Sequence, residues 1–145
     1  MKKRSFLLIF PVIAILLGLL PQSVVMNFAD YDAETGNVNI IKKYFSYFDM
    51  TPFGYGDFFP LMTAILTCAV TLLALIYMFT GRYALLNIMI GTCIAAAIVS
   101  VLPVLLKSYT LIGLGITLLL VIEIMFITAM KKNESKEKEN RNENI

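Results

Sequence analysis

Histidine and tryptophan are absent from this 145-residue chain, and cysteine occurs only twice. Without imidazole, zinc and similar metals lose their commonest ligand, so no metal or cofactor is expected. Cys68 and Cys93 both lie deep in apolar runs, which suits small buried side chains rather than a disulfide framework. Among the ten acids only Glu123 falls well inside an apolar segment, and none of the twelve bases does. No Cys-x-x-Cys, His-Glu-x-x-His, Gly-x-Ser-x-Gly or Gly-rich phosphate loop occurs, so the expectation is a protein that is not an enzyme. A net charge of +2 offers no footprint for nucleic acid.

What is present is apolar length. Hydrophobic residues make up 59% of the chain and charged ones 15%, against roughly 45–50% and 25% in a soluble domain. Four apolar runs, over about 6–26, 58–80, 83–106 and 109–130, fill most of the chain. Each approaches the ~20 helical residues that cross a ~30 Å hydrocarbon layer. None carries the polar stripe of a water-facing helix. The expected fold is an all-α membrane protein, a single four-transmembrane-helix antiparallel bundle running up-down-up-down, with an extracytoplasmic loop over 27–57.

Charge placement orients this bundle. Lys2, Lys3, Arg4, Arg82 and the five bases after the fourth run fall on one side; Lys42, Lys43 and Lys107 fall on the other. The positive-inside rule then puts both termini in the cytoplasm and the protein in the cell membrane. The Lys/Asn/Ile/Glu-rich ends suit a bacterial chain. The start Met1-Lys-Lys-Arg imitates a secretory signal, but its apolar run is longer than a signal core and no small-x-small site follows. A retained anchor is therefore expected.

Short joints predict neighbours. Thr80-Gly81-Arg82 and Lys107-Ser108 force the third run against both the second and the fourth, while the first is free to choose its place. Helices meet in lipid through small residues. The third run offers Gly91, Ala95 and Val99 on one ridge and Thr92, Ala96 and Ser100 on the next. The second offers Thr63, Thr67 and Thr71, whose hydroxyls either line a wet path or bond the carbonyl one turn back.

In the loop, Asp30–Asn37 has turn chemistry between two β-prone stretches and predicts a small hairpin. Ile41–Phe48 reads as a short amphipathic helix, and Asp57 as an N-cap for the second run. Asp30, Asp32 and Glu34 alternate as in a calcium loop, but the glycine comes at Gly36 and Ile41 stands where a bidentate Glu is needed, so that reading fails. The tail over 131–145 is Lys, Glu, Asn and Ser with almost nothing apolar, and disorder is expected there.

Two features carry functional expectations. Glu123, roughly 10 Å below the cytoplasmic surface by helical rise, is a candidate intramembrane site with Asn87 in geometric reach. Eight of the aromatics crowd into residues 44–59, and Tyr44, Tyr47, Phe48, Phe53 and Tyr55 form a candidate docking surface. The leading expectation is an accessory, regulatory or scaffold protein of the bilayer that binds a membrane partner or another copy of itself. The alternative is a small oligomeric transporter or channel using Glu123.

Overall fold

The computed structural model describes residues 5–31, 38–49, 58–105, 108 and 110–143. The chain is mostly helical. A 3₁₀ turn, Phe6–Leu8, leads into α1 (Ile9–Gly18); then come β1 (Val24–Tyr31), β2 (Val38–Phe45), α2 (Phe59–Thr80), α3 (Tyr83–Leu105) and α4 (Leu111–Glu143). Three helices, α2, α3 and α4, are long and apolar enough to cross a membrane; the helical stretch Phe6–Gly18 is shorter.

The first apolar run therefore does not form one helix to residue 26. Pro21 disfavours α geometry in the residue before it and offers no N–H, so the helix stops at Gly18. Carbonyls freed by this stop find other donors. The Ser23 hydroxyl meets both the Leu17 and Leu20 carbonyls at 2.6 Å, and the Tyr47 N–H donates to Gly18 O at 2.9 Å. A helix end wrapped this way leaves few acceptors to face hydrocarbon.

At the next joint, Gly81 takes a left-handed conformation (φ 62°, ψ 19°) and its N–H bonds Tyr77 O at 2.8 Å. This turn needs glycine's freedom. Pro60 sits in the first turn of α2, where its missing N–H has no helical partner to lose. Phe58 occupies the N-cap position; Asp57, expected there, lies outside the described residues.

The four helices form a ring. α2 packs on α3, α3 on α4, α4 on α1, and α1 closes against α2. The inward positions follow alternating steps of three and four: Leu7, Pro11, Ala14 and Gly18; Pro60, Thr63, Thr67, Val70, Ala74 and Tyr77; Leu86, Met89, Cys93, Ala96, Ser100 and Pro103; Gly113, Ile116, Leu120, Glu123 and Ile127. Their mean spacing of about 3.5 is that of left-handed helix packing. The outward positions, among them Ile65, Leu72, Phe79, Ile98, Leu118 and Met125, are exposed and apolar. Such a surface is compatible with a membrane protein.

This periodicity corrects the ridges read from sequence. Residues four apart advance about 40° beyond a full turn at each step, so an i+4 row walks off the seam. Gly91 is exposed, with nothing within 4 Å of the place a methyl would take there, and Ala95 is half-buried, whereas Ala96 and Ser100 are buried. Thr63 and Thr67 are buried and Thr71 is half-buried. Each of these threonines bonds the carbonyl one turn back, at 2.9, 2.7 and 2.9 Å. Thr92 does the same to Ile88 O.

β1 and β2 pair antiparallel from Val24↔Phe45 to Tyr31↔Val38. The helix expected over 41–48 is instead the end of β2 followed by a turn. There Asp49 Oδ2 accepts from the Ser46 N–H at 2.6 Å, and the Ser46 hydroxyl accepts from the Phe48 N–H at 3.2 Å. β-branched and aromatic residues opposite a ready partner strand prefer the ladder. The tail also departs from expectation: α4 continues through Glu143. Lys and Glu are strong helix formers, and a helix already nucleated inside the bundle extends at no further nucleation cost.

Candidate functional site

α4 turns Glu123 inward because it falls on the three-four repeat between Leu120 and Ile127. Its relative exposure is 0 %. Two packed clusters flank it. Toward the hairpin end lie Ala14, Val70, Cys93, Ala96, Ile116 and Leu120; toward the Gly81 end lie Leu7, Ala74, Tyr77, Leu86, Met89 and Ile127. The Cys93 thiol donates to Leu120 O at 3.8 Å, one turn before the acid.

Among the described residues, most of the buried serine and threonine hydroxyls donate to backbone carbonyls. Glu123 differs: neither carboxylate oxygen has a hydrogen-bond partner among the described residues. Asn87 does not supply one. It is exposed on α3, one position past the inward Leu86, so the rotation of about 100° per residue carries it off the seam. An unpaired buried carboxyl costs on the order of 1–3 kcal/mol, and such residues are kept in membrane-type interiors mostly for function.

The second site is at the opposite end of the helices from Gly81. There the Thr110 hydroxyl donates to Ser23 O at 2.6 Å and accepts from the Gly113 N–H at 3.1 Å. The Val25 N–H donates to Ser108 O at 3.3 Å. These bonds fix the foot of the hairpin to the start of α4. Tyr47 completes the joint. It is 3 % exposed, its backbone is bonded to Gly18, and its hydroxyl lies where a methyl on Gly113 would meet it at 2.9 Å. Tyr47 thus belongs to the packing between α1 and α4 and is removed from the candidate docking surface.

Of the other docking candidates, Tyr44 is 58 % exposed and Phe48 is half-buried, against the end of α1; Phe53 and Tyr55 lie outside the described residues. Sequence reasoning overlooked the strand residues beside them. Val38, Ile40 and Ile41 are exposed with Tyr44 along β2, and Ile40 is the barest at 71 %. The clue was present as an apolar run, Val-Asn-Ile-Ile, directly after the turn residues. A groove of about 490 Å³ opens at the hairpin's foot, lined by Gln22, Lys42, Tyr44, Thr110 and Leu111 among others.

Sequence reasoning also missed one tie at the far end. The buried Tyr77 hydroxyl hydrogen-bonds the Glu134 carboxylate, joining α2 to the polar extension of α4. No group of three or more potential metal ligands occurs among the described residues. The chain matches no family model, and neither a curated protein nor a solved structure is similar to it.

Proposed function

We propose that this protein is a four-span component of the cell membrane, with both termini cytoplasmic, that acts without catalysis as an accessory or scaffold and presents its hairpin to a membrane partner. Although α1 has only 10 residues, it runs alongside most of the bundle. Phe6 and Phe10 pack against Phe126 of α4 in tilted and edge-on contacts, while Gly18 lies beside Tyr47, whose hydroxyl reaches Gly113. The linker over 19–23 and the buried start of β1 would supply the remaining thickness. The basic ends give the orientation.

The observation that carries the role is the hairpin itself. β2 exposes Val38, Ile40, Ile41 and Tyr44 on a ribbon whose foot is held by the Ser23–Thr110 and Tyr47–Gly18 bonds. Apolar residues on a fixed ribbon outside the lipid, on a two-stranded sheet with open edges, suit a docking element. A photo-crosslinker at Ile40 or Tyr44 in native membranes is expected to capture one defined membrane protein, and Ile40→Asp to abolish that capture. Labelling that is diffuse, or indifferent to Ile40→Asp, would end the docking reading.

The second reading, a small oligomeric transporter or channel, is favoured by one observation: the unpartnered Glu123. A proton- or cation-dependent flux in reconstituted vesicles that Glu123→Gln removes would put this reading first.

A further inference from the structure

The end of α4 beyond the apolar core carries a second arrangement with its own chemistry. Thr128, Lys131, Lys132, Ser135 and Lys136 recur at helical spacing and so share one face. With Tyr83, at the start of α3, they line a groove of about 350 Å³. Three lysines converge there, and no acid is among the lining residues. Glu134, on the same helix, accepts from the Tyr77 hydroxyl of α2. Lys132 and Lys136 stand one turn apart, a spacing at which like charges repel unless an anion lies between them.

The same face continues into the apolar part of the helix. Leu114, Leu118, Val121 and Met125 precede Thr128 and Lys132 in steps of three and four, and all four are exposed, Met125 at 69 %. One stripe therefore runs from bare hydrocarbon-facing side chains to a cluster of ammonium groups within a few turns. A soluble anion would use only the upper part of this stripe. An anionic lipid would use all of it, with acyl chain along Leu118, Val121 and Met125 and phosphate among the lysines. The lysine stems, long and flexible, can follow the apolar surface while their heads reach the phosphate.

We propose that the Tyr83–Lys131–Lys132–Lys136 groove is a binding site for the phosphate headgroup of an anionic phospholipid in the leaflet around the Gly81 end of the bundle. This rests on the membrane placement proposed above. Binding at that site ties the polar extension of α4 to the bilayer surface.

The test is native mass spectrometry of the full-length protein released from nanodiscs of equal phosphatidylglycerol and phosphatidylcholine. Retention of phosphatidylglycerol over phosphatidylcholine is expected, weakening with added salt. It should fall by about fivefold for each of Lys131→Gln, Lys132→Gln and Lys136→Gln, the equivalent of ~1 kcal/mol per lysine at an anionic surface. Equal retention of the two lipids, or a preference that all three variants keep, would overturn the site. Displacement of the lipid by millimolar glycerol phosphate would show a site for free phosphate and overturn the lipid assignment. If the protein stays monodisperse in buffer without detergent, the membrane placement itself fails, a result separate from the lipid preference.

Discussion

The Thr110 hydroxyl reaches the Ser23 carbonyl at 2.6 Å across 87 residues of chain, and the same oxygen caps α4 through the Gly113 N–H at 3.1 Å. One side chain thus ends one irregular segment and begins a helix. Its donor fixes the linker after α1, and its acceptor satisfies one of the first backbone amides of the helix. With the Val25–Ser108 and Tyr47–Gly18 bonds, this atom ties the hairpin to the helices.

Thr110→Val removes both bonds while keeping the shape. A loss of about 1–2 kcal/mol is expected from the cap together with the tie, measured as a lower Tm in detergent. Thr110→Ser should restore most of it. If Val and Ser behave alike, the hydroxyl carries none of this stability.

Gly113→Ala places a methyl 2.9 Å from Tyr47 Oη, closer than real contacts allow, and 3.2 Å from Ser23 O, tighter than most. A destabilisation of about 1–3 kcal/mol is expected for such overpacking. Gly91→Ala, with nothing within 4 Å of the new methyl, should leave stability unchanged or raise it slightly through helix propensity. The pair of thermal scans separates a glycine required by close approach from one that merely faces outward.

Glu123→Leu exchanges an unpartnered buried carboxyl for an apolar side chain of similar reach. Thermal stability in detergent should rise, by an amount on the order of the 1–3 kcal/mol that an unsatisfied polar group costs. A clear fall in Tm would mean that the carboxyl has a partner in the folded protein. Glu123→Gln, which keeps both size and polarity, should leave the fold intact.

Legibility differed sharply between elements. The candidate spans α2, α3 and α4 begin close to where their apolar runs begin, because in a low-dielectric solvent an apolar run has one way to satisfy its own amides. Gly81 was readable as a helix end, since few other residues adopt its conformation without strain. The hairpin was readable from its turn residues. The length of α1 was not, because the stop depends on Pro21 acting together with Ser23, Gly18 and the distant Tyr47. Tyr47 and Tyr44 look alike on paper, three residues apart in an aromatic cluster. Only the turn bonded through Ser46 and Asp49 separates them, sending one ring between helices and leaving the other bare.

Amino-acid order alone determined that apolar helices dominate this chain, where three of them lie and which of them are neighbours, because hydropathy and short joints act locally. Tertiary structure decided which face of each helix is inward, and with it the isolation of Glu123 from Asn87, the seat of α1 between α4 and α2, and the burial of Tyr47. Those outcomes depend on the phase of a roughly 3.5-residue repeat relative to three other helices. A phase is a relation between segments, and no single segment contains it.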